Sequence, residues 1–288
     1  MYLYMNGVID HYTNIKISPL DHGFLYGLGL FETFRTYHGH PFLLDDHFQR
    51  LKDSAEELNI QLPSYNREKT VQIIELLLEK NGLEDGYFRW NISAGEREIG
   101  LSTSPYLYPN TVVFVKPLPR ELKEKKGVFL KQRRNSPEGA QRLKSHHYLN
   151  NIIGKREIGS NGEIEGIFLS EKDVVSEGIV SNVLWWKSNV LYTPSVSSGC
   201  LDGITKKFII AIAKDLKLEV REGEYSPSHL LDADEVFVTN SIQGIVPLQE
   251  VDQMQFPGTL GPIYKALKTR YKACTDRLWS VTERMEME

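Results

Sequence analysis

Lys144 stands in RLKSHHYLNN, just ahead of a stretch with helical periodicity. Downstream come Glu177 in VSEGIVSN, Gly203 to Thr205 in LDGITKK and Ser241 in EVFVTNS, while Arg50 lies upstream in DDHFQRLKDS. A primary amine forms an imine with a carbonyl if a sheltered pocket lowers its pKa. A carboxylate at a ring nitrogen keeps that nitrogen protonated, which makes the ring a better electron sink. Helix starts bind anions through free N–H groups and the helix dipole, hydroxyls add donors, and arginine grips phosphate bidentately. Each residue alone has an ordinary reading: a solvated lysine, a turn carboxylate, a capped helix start, a surface arginine. Together they are the parts needed to hold pyridoxal phosphate. Asn182, five residues after Glu177, is placed to support the same turn. His146 and His147 are adjacent, so their side chains diverge, and no acidic or cysteine cluster accompanies them; no metal site is expected.

These residues need elements to carry them. MYLYMNGVI alternates around a turn, and a Gly-punctuated stretch, SPLDHGFLYGLGLFETFRTY, flows into a β-like run. HGHPFLL reads as a restarted strand. DDHFQRLKDSAEELNI reads as a helix with Phe48, Leu51, Ala55 and Leu58 on one face and His47, Arg50 and Ser54 on others. REKTVQIIELLLEKNG is a second helix stopped at Asn81-Gly82. YFRWNISAG, NTVVFVKPL and VFLKQRRN read as strands. The helix after Lys144 sets Tyr148, Leu149, Ile152, Ile153 and Arg156 along one stripe. GIFLSEKDVVSEG and SNVLWWKSNVLYTP read as hairpins, DGITKKFIIAIAKDLKLEV as a helix followed by a strand, and EVFVTNS as a buried strand. RLWSVTERMEME reads as an acidic helical end. The fold class expected is α+β (mixed α/β), in two domains: 1–117, a charged Pro-bearing linker at 118–127, and 128–288.

Bulk properties exclude several classes. The chain has 288 residues, 41% hydrophobic and 25% charged, which suits a soluble globular protein. A net charge of −4 and a pI near 6.1 argue against a nucleic-acid surface. Two cysteines, Cys200 and Cys274, make no disulfide framework and fit a reducing compartment. The N-terminus lacks the pattern of a signal peptide, and no apolar run is long enough to span a bilayer. A cytoplasmic enzyme acting on a small molecule, with no nucleic-acid or membrane partner, is expected.

DHGFLYGLGLFET, HFQRLKDSA, LKSHHYLNN, VSEGIVSNVLW, LYTP, LDGIT and ADEVFVTNSIQGIVP, in that order, cover nearly the whole chain and resemble the fold-type IV pyridoxal-phosphate enzymes. That class includes branched-chain aminotransferase, D-amino acid aminotransferase and aminodeoxychorismate lyase. The resemblance implies a small N-terminal α/β domain, a larger C-terminal one, the cofactor between them, and a homodimer. It makes Lys144 the catalytic Schiff-base lysine and Glu177 the ring-nitrogen partner. Arg50, the backbone N–H of Ile204, Thr205 and Ser241 would hold the phosphate. Tyr148 would lie near the cofactor hydroxyl, although it sits one residue closer to the lysine than in branched-chain enzymes. RRNSPEGAQRLKSHHYLNN, FRWNISAGE and VSEGIVSNVLWWK resemble bacterial 4-amino-4-deoxychorismate lyases, which implies loss of pyruvate from 4-amino-4-deoxychorismate to give p-aminobenzoate for folate biosynthesis. Ala94 stands where the D-amino acid enzyme has a carboxylate-binding arginine. Arg89 resembles an arginine of branched-chain aminotransferases, six residues before the same glycine. It is the substrate-carboxylate candidate and keeps an aminotransferase as the alternative.

Overall fold

A computed structural model describes residues 1–283 and divides into two compact units. Met1–Pro119, Leu143–His147 and the segment from Thr275 form the first; Arg120–Arg142 and Tyr148–Cys274 form the second.

The first unit contains β1 (Tyr2–Met5), β2 (Val8–His11), α1 (His22–Tyr26), β3 (Gly29–Tyr37), β4 (His40–Pro41), α2 (Leu44–Glu57), α3 (Arg67–Asn81), β5 (Tyr87–Ser93) and β6 (Asn110–Lys116). Its antiparallel sheet runs β2-β1-β6-β5-β3-β4. Asn6 and Gly7, both at positive φ, turn the first hairpin, the geometry that matches the right-handed twist of its strands. Strand alternation aims Leu30, Phe34, Phe88, Trp90 and Val113 at Phe48, Leu51, Ile74 and Leu77 of the two helices. The same alternation puts Phe31, Arg89, Asn91 and Ser93 on the opposite face. Gly82, at φ 64°, ends α3 where the sequence places the stop.

The second unit contains β7 (Lys125–Phe129), α4 (Leu149–Ile158), β8 (Ile164–Leu169), β9 (Val175–Gly178), β10 (Asn182–Lys187), β11 (Val190–Pro194), α5 (Ile204–Asp215), β12 (Glu219–Gly223), α6 (Pro227–Leu231), β13 (Glu235–Asn240), β14 (Gly244–Val251), β15 (Met254–Gln255) and α7 (Pro262–Lys272). Its mixed sheet runs β12-β11-β10-β13-β14-β7-β8-β9, with β15 on β14. Trp185, Val236, Val238 and Leu248 fill its core. Both expected hairpins form, the second turning at Ser188-Asn189.

Several local expectations change. HGHPFLL keeps only His40–Pro41 as strand, and α2 begins at Leu44. His47 and Ser54, on the other faces of α2, are buried as well. The expected linker holds the passage between units after Pro119 but also starts β7 at Lys125. The stripe on α4 faces outward, with Leu149 66% and Ile152 45% exposed. Packing reverses it: a Cβ on Gly154 would lie 2.6 Å from Phe168 Cζ, and Asn151 hydrogen-bonds inward to the Ile179 carbonyl at 2.6 Å. RLWSVTERMEME forms no α-helix across 277–281, and 284–288 lie outside the described residues. There the tail serves α2, whose N-cap Leu43 has no side-chain cap. Leu43 N–H donates to the Leu278 carbonyl (3.0 Å) and Asp45 N–H to that of Trp279 (2.9 Å), satisfying amides a helix start leaves open.

Candidate active site

Lys144 lies on the five-residue segment Leu143–His147 in the first unit. The segment runs beside the start of β3: Phe31 N–H donates to the Lys144 carbonyl (2.9 Å) and His146 N–H to that of Gly29 (2.9 Å). Lys144 Nζ sits 4.5 Å from the centroid of the buried Phe31 ring, and the Arg89 guanidinium carbon sits 3.6 Å from the same centroid. Arg89 Nε donates to Asn91 Oδ1 at 2.9 Å. The lysine and the expected substrate arginine therefore share one aromatic ring, a favourable arrangement for cations.

Arg50 projects from α2 onto a neighbouring carboxylate. Its Nε donates to Glu32 Oε1 (2.8 Å) and its Nη2 to Glu32 Oε2 (2.7 Å); His47 Nδ1 lies 2.7 Å from the second oxygen. Burial pushes the Glu32 carboxyl up, but the guanidinium and the His47 hydrogen bond outweigh it and hold the pKa at about 2. Burial keeps His47 below its ordinary range. Glu32 thus fixes the guanidinium on its strand.

In the second unit Glu177 is the penultimate residue of β9, buried among donors. Arg134 Nε donates to Oε1 at 2.7 Å, Leu201 N–H donates to Oε2 at 3.0 Å, and Arg142 Nε lies 3.7 Å from Oε1. Arg134 Nη1 also donates to Asn150 and Asn151 of α4 (2.6 and 3.2 Å). Burial, then the charge of Arg134, lowers the pKa of Arg142. Under the following turn, Glu165 accepts from Lys125 Nζ (2.8 Å) and Ser181 Oγ (2.9 Å), a buried ion pair whose polar atoms are partnered.

α5 begins at Ile204, and its N-cap Gly203 makes no side-chain cap bond. A Cβ there would lie 1.9 Å from Asn182 Oδ1, so glycine is required by space. Asn182 in turn donates to the Leu201 carbonyl at 2.8 Å, which ties β10 to the approach of α5. Thr205 Oγ1 lies 3.2 Å from Ser241 Oγ in the β13–β14 turn. Tyr148 is the N-cap residue of α4.

The structure thus brings Lys144 to Arg89 and Thr205 to Ser241, and ties Arg50 to Glu32. Arg50, Arg89 and Lys144 belong to the first unit; Tyr148, Glu177, Ile204, Thr205 and Ser241 belong to the second. The sequence reading missed Glu32, His47, Phe31, Arg134 and Arg142. A lone carboxylate inside the apolar run LFETF was the available signal for Glu32. Arg134 and Arg142 had no such mark among neighbouring basic residues.

The pattern of the amino-transferase class IV family matches residues 29–251. The chain belongs to that family. It is 44% identical over 274 residues to the aminodeoxychorismate lyase of Bacillus subtilis (strain 168), covering 94% of this chain and 93% of that one. It is 30% identical over 285 residues to the branched-chain-amino-acid aminotransferase of Escherichia coli (strain K12), covering 94% and 91%. Among solved structures, Escherichia coli branched-chain amino acid aminotransferase superposes with a TM-score of 0.85 at 29% identity, over 95% of this chain and 94% of that one. The T.th. branched-chain amino acid aminotransferase with pyridoxamine 5'-phosphate gives 0.83 at 26% identity, over 96% and 95%. The α+β fold is that of the fold-type IV aminotransferases. Among the described residues no helix is long and apolar enough to cross a membrane.

Proposed function

We propose that the protein is a pyridoxal-phosphate-dependent aminodeoxychorismate lyase, releasing pyruvate from 4-amino-4-deoxychorismate to leave p-aminobenzoate for folate biosynthesis. The observation that carries this is the 44% identity to the Bacillus subtilis lyase over 94% of the chain, against 30% to the Escherichia coli aminotransferase.

The residues suit the cofactor. Thr205 and Ser241 place two hydroxyls 3.2 Å apart, one of them in the first turn of α5, as a phosphate requires. Glu177 is buried with both oxygens in hydrogen bonds, an anchored acceptor for a ring N–H. Arg50, held by Glu32, would add a guanidinium to the phosphate, and the N–H of Ile204 a backbone donor. Tyr148 is assigned to the cofactor hydroxyl by family resemblance. When bound, pyridoxal phosphate supplies a carbonyl for the substrate's amine and a ring that draws electron density.

The chain's own task is to place one base and one carboxylate partner. Lys144 takes the proton from the substrate ring carbon that bears the amine. As the C–O bond to the enolpyruvyl group breaks, the ring becomes aromatic, and Lys144 returns a proton to the departing enolpyruvyl carbon to give pyruvate. Arg89, held by Phe31 and Asn91, pairs with a substrate carboxylate. The second reading is a branched-chain or D-amino acid aminotransferase of the same fold, and Arg89 supports its branched-chain form.

The two units would correspond to an N-terminal and a C-terminal domain of a cytoplasmic homodimer. Ile99, Leu101 and Tyr108 in the first unit and Leu149 in the second are largely exposed, apolar area of the kind a second copy covers. Sedimentation of purified protein as a monomer at micromolar concentration would remove that assignment.

The deciding assay supplies chorismate, glutamine, an aminodeoxychorismate synthase and pyridoxal phosphate, and follows p-aminobenzoate by fluorescence. Product in proportion to enzyme, lost in Lys144→Ala, is expected. No product from protein loaded through Lys144 would replace the lyase with an aminotransferase, assayed next with branched-chain and D-amino acids as donors.

A further inference from the structure

We propose that His146, seated in the space left by Gly29, is the positioning residue that fixes Lys144; its effect on chemistry rests on the reading of Lys144 given above. Lys144 and His146 are two apart on an extended segment, so both face Phe31. The amine lies 4.5 Å from the ring centroid, and the imidazole stacks at 6.4 Å with 28° between planes. Leu30 and Ser145 form the antiparallel bridge between them. A one-residue slip of the segment would turn the amine to the other face.

Backbone hydrogen bonds alone do not forbid that slip, because shifted registers offer equivalent donors and acceptors. Side-chain shape does. A Cβ on Gly29 would lie 2.4 Å from His146 Cε1 and Nδ1 and 2.5 Å from the Ile92 carbonyl oxygen. Gly29 does not adopt a positive φ, so its lack of a side chain answers to this space. Among the described residues, the imidazole that fills the notch buries Nε2 without a hydrogen-bond partner. Burial first, then the charge of Arg89, lowers its pKa to about 4. The wedge therefore adds no positive charge beside Lys144 and Arg89. His147 repeats the device on a smaller scale: its Nε2 lies 3.2 Å from the Tyr26 carbonyl oxygen, and a Cβ on Gly27 would lie 2.8 Å from its Cδ2.

The test compares the parent protein, H146A and H146F by two readouts. The first is amide exchange of positions 31 and 146 in cofactor-free protein. The second is the rate at which pyridoxal phosphate is trapped on Lys144 by borohydride, read by mass spectrometry. H146A is expected to exchange at least tenfold faster at both amides and to trap at least tenfold more slowly, while H146F, which restores a flat ring without nitrogens, recovers most of both. H146A behaving like the parent in exchange overturns the proposal, as does failure of H146F to recover it. Should H146A not fold, H146N decides by the same readouts, since it keeps polarity but loses the ring, and parent-like exchange overturns the wedge. If the parent itself traps no cofactor on Lys144, the functional reading falls, while exchange still decides the role of His146.

Discussion

Glu32 on β3 and Glu177 on β9 are both buried carboxylates facing guanidinium groups, yet their roles are inverted. Under the proposed function, the group with chemistry to offer in the first unit is the cation, Arg50, and Glu32 is its support. In the second it is the carboxylate, and Arg134 and Arg142 are the supports. The first cluster closes on itself, one guanidinium against one carboxylate with a histidine that burial disfavours charging. The second carries two guanidinium groups on one carboxylate and ties them to α4 through Asn150 and Asn151. Loss of Glu32 should therefore be felt in stability, and loss of the Glu177 charge in turnover.

The largest expected effect is on turnover. Glu177→Gln keeps an acceptor for Leu201 N–H but removes the charge, and kcat for p-aminobenzoate should fall by about 10²–10³-fold, in the range of a lost preorganised electrostatic partner. A kcat within threefold of the parent would end the role given to Glu177. Next, Glu32→Gln leaves Arg50 with a neutral partner, and urea unfolding should show a loss of about 3–5 kcal/mol, the cost of breaking a buried pair. Equal losses of stability in both variants would break the contrast.

A pH series separates the clusters further. Glu32 has a folded pKa below its ordinary 4.5, and His47 and His146 lie below 6.5. For each, the unfolded chain binds more protons, so stability is complete above about pH 6.5 and falls on acidification. The histidines contribute first, His146 between pH 6.5 and about 4; Glu32 follows between 4.5 and about 2. Urea midpoints should drop from neutral pH to about pH 4 by the equivalent of roughly 2–3 kcal/mol. A flat profile would show that burial does not disfavour those charges. The smallest effect is expected for Thr205→Val, which removes one donor while leaving the backbone of α5: affinity for pyridoxal phosphate should fall about tenfold. Calorimetric titration of cofactor-free protein measures it.

Legibility follows the same division. The proposed site residues Lys144, Glu177, Thr205 and Ser241 are legible only together, as a set of motif positions, whereas α3 with its Gly82 stop and the strands β5, β6 and β13 stand out directly. Supports do not: Arg134 and Arg142 sit among other basic residues, and only tertiary packing turns them onto Glu177. Periodicity misled at α4, where Gly154 and Asn151 face inward because Phe168 approaches closely and the Ile179 carbonyl needs a donor. Nor could spacing show that residues 143–147 join the N-terminal unit, since their place depends on pairing with β3 across more than a hundred residues.

The capping of α2 by Leu278 and Trp279 has a consequence for synthesis on the ribosome. A nascent chain that has emerged only to Pro119 holds the strands and helices of the first unit but lacks the 143–147 segment that bridges to the start of β3 and the carbonyls that receive the amides of Leu43 and Asp45. The helix bearing Arg50 thus waits for Leu278 and Trp279. Maturation of the N-terminal unit is coupled to synthesis of residues 143–147 and 278–279, and a fragment released before them should be a substrate for proteases.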